Sequence, residues 1–136
     1  MIKYDGNKSL KLVLNYMEKK SNLIAEDLLE LASGVIKCLK KVKKDPMSNL
    51  LVVQLFRSVS SVGANYEEAC GAQSRRDFIH KLHISYKELR ETKYWVQLLY
   101  KSKYISIEEN KILLADIDKS LKVIARSLIT AKKNNK

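Results

Sequence analysis

Hydrophobic residues recur at alternating steps of three and four along most of the chain, which is the period of one face of an α-helix. The spacing predicts helices over Asn22–Lys44, Pro46–Ala72 and Arg75–Lys103, and a fourth from just after Ser106 to Lys132. The predicted core positions are Leu28, Ala32, Val35, Leu39, Val42, Leu50, Val53, Phe56, Val59, Val62, Phe78, Leu82, Ser85, Leu89, Thr92, Val96, Leu99, Leu114, Ile117, Leu121, Ile124, Leu128 and Ala131. Four amphipathic helices joined by short loops predict an all-α, antiparallel up-down four-helix bundle.

The ends of the predicted helices carry residues that stop and start helices. A serine, aspartate or asparagine side chain can accept a hydrogen bond from the first free backbone N–H groups, and proline suits the first helical turn. The candidate caps and breaks are Ser21, Asn22, Asp45, Pro46, Ser74 and a capping box between Ser106 and Glu109.

Length and composition indicate one globular domain with short flanking segments. The 136 residues are 46% hydrophobic and 30% charged, which is typical of a globular domain. The sequence contains only one proline and four glycines, too few for the many turns of a β fold. We expect a basic arm or short helix over residues 1–21, the bundle over 22–133 and a basic tail over 134–136. The apolar run from Leu10 to Leu14 contains Lys11 and is too short for a signal core or a membrane span.

The two cysteines, Cys38 and Cys70, lie in different segments without CxxC spacing. This is typical of buried thiols in a reducing compartment, so we expect a cytoplasmic protein without contact to a membrane.

The net charge of +11, from 26 Lys and Arg against 15 Asp and Glu, favours association with polyanions, of which nucleic acid is the commonest. A lysine-rich composition also follows from a low-GC genome and from simple solubility. Charge alone therefore leaves both interpretations open.

The stretch LFRSVSSVGANYEEACGAQSRRDFIHKLHISYKELRETKYWVQLL resembles the bacterial four helix bundle protein family, also called the 23S rRNA-intervening-sequence proteins. The resemblance rests on Arg57, the S-x-G-A-N-x-E-E-A pattern across Ser61 to Ala69, and the E-T-x-Y-W run from Glu91 to Trp95, together with the matching residues Gln73, Ser74, Asp77, Phe78, Lys87 and Glu88. The chain departs from the family pattern at Val59, at Cys70 and in its longer basic N-terminus.

The resemblance implies an antiparallel bundle that assembles into a ring-like homopentamer. It also implies kinship with the accessory proteins of diversity-generating retroelements, which bind nucleic acid and reverse transcriptase. RNA, DNA and a reverse transcriptase or other protein are thus candidate partners besides further copies of the chain. The family name records where some of the genes lie and does not by itself establish an RNA activity.

Opposite charges should face each other between the second and third helices, which run antiparallel about a turn near Gln73. We expect Arg57 near Glu88 and Glu91, and Asn65 and Glu68 near Lys81 and Arg76, as buried or half-buried pairs that fix helix register. A ligand pocket lined by Arg57, Asn65 and Glu68 is the functional alternative.

The sequence offers little for catalysis or metal binding. Carboxylate-bridged metal bundles need Glu-x-x-His motifs, which do not occur here, and His80, His83 and Cys70 lack the spacing of a designed site. Arg75 and His80 form an R-x4-H spacing that resembles the ribonuclease motif of the HEPN superfamily. We therefore expect no cofactor, no metal and no enzymatic activity, with a HEPN-like, metal-independent ribonuclease as the alternative.

Basic residues interleave with tyrosines and a tryptophan along the third helix, the combination that single-stranded nucleic acid requires. Aromatic residues at helical spacing more often pack between helices or subunits, so we assign Tyr94 and Trp95 to an oligomer interface. The predicted phosphate contacts are Arg76, Lys87, Arg90, Lys93, Lys101, Lys103, Lys132 and Lys133. The preferred function is a homo-oligomeric, non-enzymatic protein that binds nucleic acid or scaffolds a ribonucleoprotein.

Overall fold

A computed structural model describes residues 6–133, and within this range the chain is helical with no strand. The helices are α1 (Gly6–Leu39), α2 (Pro46–Cys70), α3 (Arg75–Lys101) and α4 (Ile107–Lys133). Among the described residues, α1 contacts α2, α2 contacts α3, α3 contacts α4 and α4 contacts α1, without diagonal contacts. The predicted four-helix fold is confirmed. The tail predicted over 134–136 and the first five residues lie outside the described range.

Three of the helix starts follow from local hydrogen bonds. Asp45 accepts from the Ser48 backbone N–H at 2.8 Å and precedes Pro46, which occupies the first turn of α2. The Ser74 hydroxyl accepts from the Asp77 N–H at 3.1 Å. Ser106 and Glu109 form the capping box of α4, with bonds of 3.1 and 3.2 Å. The caps of α3 and α4 predicted from the sequence are therefore confirmed, and Asp45, predicted only as part of the break before α2, is the N-cap of that helix.

The start of the first helix was predicted wrongly. The helix begins at Gly6 instead of Asn22 and ends at Leu39 instead of Lys44. Ser21 does not cap a helix: its hydroxyl lies 3.2 Å from the Tyr66 hydroxyl and 3.1 Å from Cys70 Sγ on α2. Most of the segment expected as an arm or short helix is thus the N-terminal half of α1.

All four helices contribute to the core, and on α3 the side chains of Leu82, Leu89, Val96 and Leu99 are fully buried. Most predicted core positions of α1, α3 and α4 are buried or packed against this core. On α2 the prediction is confirmed for Val59 and Val62 but is wrong for Leu50, Val53 and Phe56, which are 66%, 61% and 50% exposed. The buried residues of the core face of α2 are Leu55, Ser58, Val59, Val62, Tyr66 and Ala69.

Candidate nucleic-acid interface

The solvent face of α3 is a continuous stripe without a carboxylate. Its members recur at alternating steps of four and three, and all are exposed. They are Arg76, His80, His83, Lys87, Arg90, Tyr94, Gln97 and Lys101. At 1.5 Å of rise per residue this α3 stripe extends over about 37 Å. Four of the eight basic residues predicted from sequence therefore fall on one straight line of the surface.

The C-terminal end of α4 joins the stripe near its N-terminal part. Lys132 Nζ lies 3.0 Å from His83 Nε2, and because an ammonium group only donates, this histidine nitrogen accepts. Lys133 is exposed beside Lys132. The predicted pair at the end of α4 is thus brought to the same surface as α3.

Two further basic residues, Lys122 and Arg126, are exposed on the outer side of α4, which packs against α3. These two residues were not among the phosphate contacts predicted from the sequence. Their spacing could have identified them, because Lys122, Arg126 and Lys133 follow one another at four and then seven residues and so share one helix face. They widen the basic surface beyond the α3 stripe.

Lys93 does not present a free charge with the others. Its Nζ lies 2.7 Å from Asp118 Oδ1 on α4, and the residue is half-buried. Lys103 is exposed in the turn after α3, where it adopts a φ of 66°. A left-handed residue at this position closes the helix end, and the Tyr104 N–H accordingly reaches back to the Leu99 carbonyl at 2.9 Å.

Tyr94 and Trp95 have different environments. Tyr94 is 57% exposed and belongs to the α3 stripe. Trp95 is half-buried against the core, and its Nε1 donates to Glu91 at 3.1 Å. The two rings meet edge to face with centroids 5.0 Å apart. Of the two, Tyr94 is the ring that a partner can reach more fully.

Arg57 of α2 bridges two glutamates of α3. Its Nη1 lies 3.5 Å from Glu88, and its Nη2 pairs with Glu91. The hydrogen bond to Glu91 raises the pKa of Arg57. The pKa of Glu91 is lowered by the hydrogen bond from Trp95 and then by Arg57. The Glu91 carboxylate therefore positions both the Trp95 indole and the Arg57 guanidinium group.

The second expected set of pairs forms only in part. Lys81 lies 2.7 Å from Glu68, which raises the pKa of Lys81. Asn65 instead donates to the Ser61 carbonyl of its own helix at 2.9 Å. Over residues 6–133, Arg76 makes no ion pair with Glu68.

Each pair joins an exposed side chain to a half-buried one, since Arg57 and Glu68 are 49% and 58% exposed and their partners Glu88 and Lys81 are 18% and 32% exposed. Arg57, Asn65 and Glu68 line neither the groove between α1 and α2 nor the cavity beside Tyr66. The alternative of a ligand pocket formed by these three residues therefore gains no support.

Arg75 and His80 do not share a face of α3. Five residues on an α-helix are separated by about 140° around its axis. Arg75 lines the cavity at the end of the bundle beside Tyr66, whereas His80 belongs to the α3 stripe. The two residues of the R-x4-H spacing therefore lie on different faces of α3, and the ribonuclease alternative gains no support.

Within residues 6–133, no three His, Cys, Asp or Glu side chains are grouped so that they could hold a metal ion. No helix in that part of the chain has both the length and the apolar character that crossing a membrane requires.

The sequence model of the 23S rRNA-intervening sequence protein family matches residues 20–126. A crystal structure of a protein of unknown function from the S23 ribosomal protein family of Bacteroides thetaiotaomicron superposes with a TM-score of 0.75 at 35% sequence identity. The match covers 80% of this chain and 97% of that one. Among curated proteins, no match was found.

Proposed function

The chain belongs to the 23S rRNA-intervening sequence protein family, and we propose that it binds RNA or DNA through the α3 stripe and the basic end of α4 without acting as an enzyme. The observation that carries this proposal is the unbroken line of exposed basic and polar residues on α3. Phosphates attract such a line without regard to base sequence, because neutralising them releases condensed counterions.

The composition of the stripe supports single-stranded nucleic acid in particular. Tyr94 stands between Arg90 and Lys101 with more than half of its surface exposed. A base can stack on an aromatic ring while neighbouring cations hold its phosphates, and stacking contributes about 1–3 kcal/mol per base. The sequence contains no recognised motif, such as a helix-turn-helix or a zinc finger, that would read base edges in a duplex groove.

We further propose that the protein acts as a homo-oligomer, as the ring-like pentamer expected from the family resemblance. Exposed apolar residues on α2 support this, because Leu50, Val53 and Phe56 together expose more apolar surface than isolated surface residues do. A ring would place several basic faces on one body and so increase the affinity for a long polyanion.

The test is a gel-shift titration with single-stranded RNA and DNA of mixed sequence at several salt concentrations. The stripe variant carries Arg76→Glu, Lys87→Glu, Arg90→Glu and Lys101→Glu. We expect its affinity to fall for both nucleic acids and the salt slope to become shallower by about 3, at about 0.7 for each lost contact to a single strand.

The matched control reverses four exposed lysines that lie outside the stripe, near the end of α1 and in the loop after it, with Lys37, Lys40, Lys43 and Lys44 each changed to Glu. Both variants change the net charge equally, so a loss confined to the stripe variant assigns binding to α3. Equal losses would mean that only net charge matters. If the unaltered protein does not bind even at low salt, its role is that of a scaffold for a protein partner, and the proposal is wrong.

A further inference from the structure

The N-terminal part of α1 extends beyond the end of α2. Its residues Tyr16, Met17, Glu18 and Lys20 border the cavity beside Tyr66. Ser21 contacts Tyr66 and Cys70 at the end of α2, and every side chain from Leu10 to Lys20 is exposed. We call residues 10–20 the projecting segment. The family match begins at residue 20, so all of this segment except its last residue lies outside the region shared with the family.

The projecting segment continues the core face of α1, and its apolar row stays more than half exposed although Met17 borders the cavity beside Tyr66. Leu10, Leu14 and Met17 keep the steps of four and three that bury Leu28 and Leu31 further along the helix. They are 57%, 56% and 59% exposed. An exposed apolar row that continues the buried face of a helix can be buried by packing into an apolar groove.

The same chain offers such a groove between α1 and α2. It encloses about 530 Å³ and is lined by small residues, among them Ala25 and Ala32 of α1 and Gly63 and Ala64 of α2. A Cβ atom added at Gly63 would meet nothing within 4 Å, so the groove is open at this point. A helix can approach closely where side chains are this small.

Larger apolar side chains border the groove and give a docked helix something to bury. Leu29 of α1, one of the lining residues, is 64% exposed. Phe56 of α2 lies one turn before the lining residue Ser60 and is 50% exposed. The apolar surface of the groove therefore continues along α2.

Charge is complementary between the segment and the groove. Lys11 and Lys20 flank the apolar row of the projecting segment on either side, as the helical period of 3.6 residues requires. Glu26 of α1 and Glu67 of α2 line the groove, one from each wall. Two lysine-bearing segments would repel each other, whereas a lysine-bearing segment and a glutamate-lined groove attract.

We propose that the projecting segment of one copy docks in the α1–α2 groove of a second copy. The segment cannot reach its own groove, because it continues α1 as one helix and leads away from it. From Leu10 to Met17 the helix covers about 11 Å, and the α2 wall of the groove from Val59 to Glu67 covers about 12 Å. The contact is head to tail, so it generates a closed ring or an open chain.

This inference rests on the self-assembly part of the proposed function and adds a contact between copies through a segment that the family model does not include. The test mixes two chains that both carry Cys70→Ser, one with Leu14→Cys and the other with Ser60→Cys, and treats them with a short bis-maleimide. We expect a cross-linked heterodimer as the main product. The matched control replaces Ser60→Cys with Gln97→Cys, an exposed position on α3, and should give little product.

A second pair of variants tests the same contact by light scattering. Leu14→Lys should lower the mass of the assembly at micromolar concentration at least twofold, and Asn15→Lys on the polar side of the segment should not. Equal cross-linking to Ser60→Cys and Gln97→Cys, dominant pairing between two Leu14→Cys chains, or the absence of any cross-link would overturn the proposal.

The outcomes separate this inference from the proposed function. An assembly that persists without the expected cross-link leaves the oligomer intact and overturns the contact. If the unaltered protein is monomeric, both the proposed oligomer and the proposed contact are wrong, while the gel shift still tests RNA binding. Co-sedimentation with phosphatidylserine vesicles that Leu14→Lys abolishes, without a cross-link, would assign the segment to a membrane surface instead.

Discussion

Small hydroxyl residues set the distance between α2 and α3. Ser85 is fully buried on α3 and donates to the Val62 carbonyl of α2 at 2.8 Å. Thr92 approaches Ser58 at 3.1 Å and also donates to the Glu88 carbonyl at 2.8 Å. Because these hydroxyls bond to backbone or to each other, their burial leaves few groups unpaired and lets the two helices pack closely.

Replacing Ser85 with leucine should destabilise the bundle by about 1–3 kcal/mol, because extra methyl groups must enter a contact that has no room for them. Urea unfolding gives the free energy. Gln97→Leu on the exposed side of α3 is the control and should change stability by no more than about 0.5 kcal/mol. A Ser85→Leu chain as stable as the unaltered protein would mean that α2 and α3 are less tightly packed than described.

The two cysteines differ in reactivity because one thiol is buried. Burial raises the pKa of Cys38 to about 12, with a further contribution from its hydrogen bond to Glu109 at 3.0 Å. Cys70 is exposed. Since the thiolate is the reactive form, we expect a thiol reagent such as Ellman's reagent at pH 8 to modify Cys70 quickly and Cys38 only after unfolding. Rapid release of two equivalents from the folded chain would contradict this.

At the scale of helices, the periodicity was informative where large apolar residues coincide with the core. On α3 the predicted positions Leu82, Leu89 and Val96 are all buried. On α2 the core face contains small residues such as Ser58, whereas Phe56 and Val53 face outward. Apolar side chains lie on both sides of α2, since Phe56 is exposed while Leu55 is buried, so hydrophobicity alone did not identify the core face.

The start of α1 was missed for a different reason. Ser21 and Asn22 are residue types that can cap a helix, but a cap forms only if the preceding backbone leaves the helical conformation. In this chain the Ser21 hydroxyl bonds to Tyr66, so the helix passes through it unbroken. A contact with a residue that is distant in sequence decided the outcome, and local sequence does not contain it.

Carboxylates at the helix starts should make the stability of the bundle depend on pH in the acid range. Asp45 caps α2 and accepts from the Tyr104 hydroxyl at 2.8 Å, which ties the loop before α2 to the loop before α4. The hydrogen bond from the Ser48 backbone, followed by that from Tyr104, lowers the pKa of Asp45 below 3.8. The pKa of Glu109 is lowered below 4.5, first by Cys38 and then by the backbone of Ser106.

A carboxyl group whose pKa is lower in the folded state stabilises the fold above its ordinary pKa and loses this contribution as the pH falls through the folded value. We therefore expect the urea concentration at the unfolding midpoint to decrease as the pH is lowered from about 6 to about 3. Asp45→Asn keeps an acceptor for Ser48 but does not titrate, so its midpoint should fall less steeply. Parallel curves for the two proteins would remove Asp45 from the explanation.

For the whole molecule, the candidate surface was only partly predictable. The sequence identified Arg76, Lys87, Arg90 and Lys101, and the helical period places them on one face. It could not show that Lys93 pairs with Asp118, because that aspartate belongs to another helix. Which lysines are free is a property of the packed bundle, since pairing between helices is decided by their register.

The bundle should also fold without the projecting segment. Deleting residues 1–20 removes side chains that are exposed from Leu10 onward, while Ser21 and its bonds to Tyr66 and Cys70 stay in place. The solved relative supports this expectation. The match covers 97% of that protein but only 80% of this chain, so a bundle of the relative's shorter length is complete.

We expect the shortened chain to lose helical signal in circular dichroism in proportion to the residues removed, yet to unfold cooperatively. Its free energy of unfolding should lie within about 1 kcal/mol of the full chain, because exposed side chains contribute little to stability. The comparison is made at sub-micromolar concentration, where self-association contributes least. A chain that loses its cooperative transition would show that residues before Ser21 belong to the core.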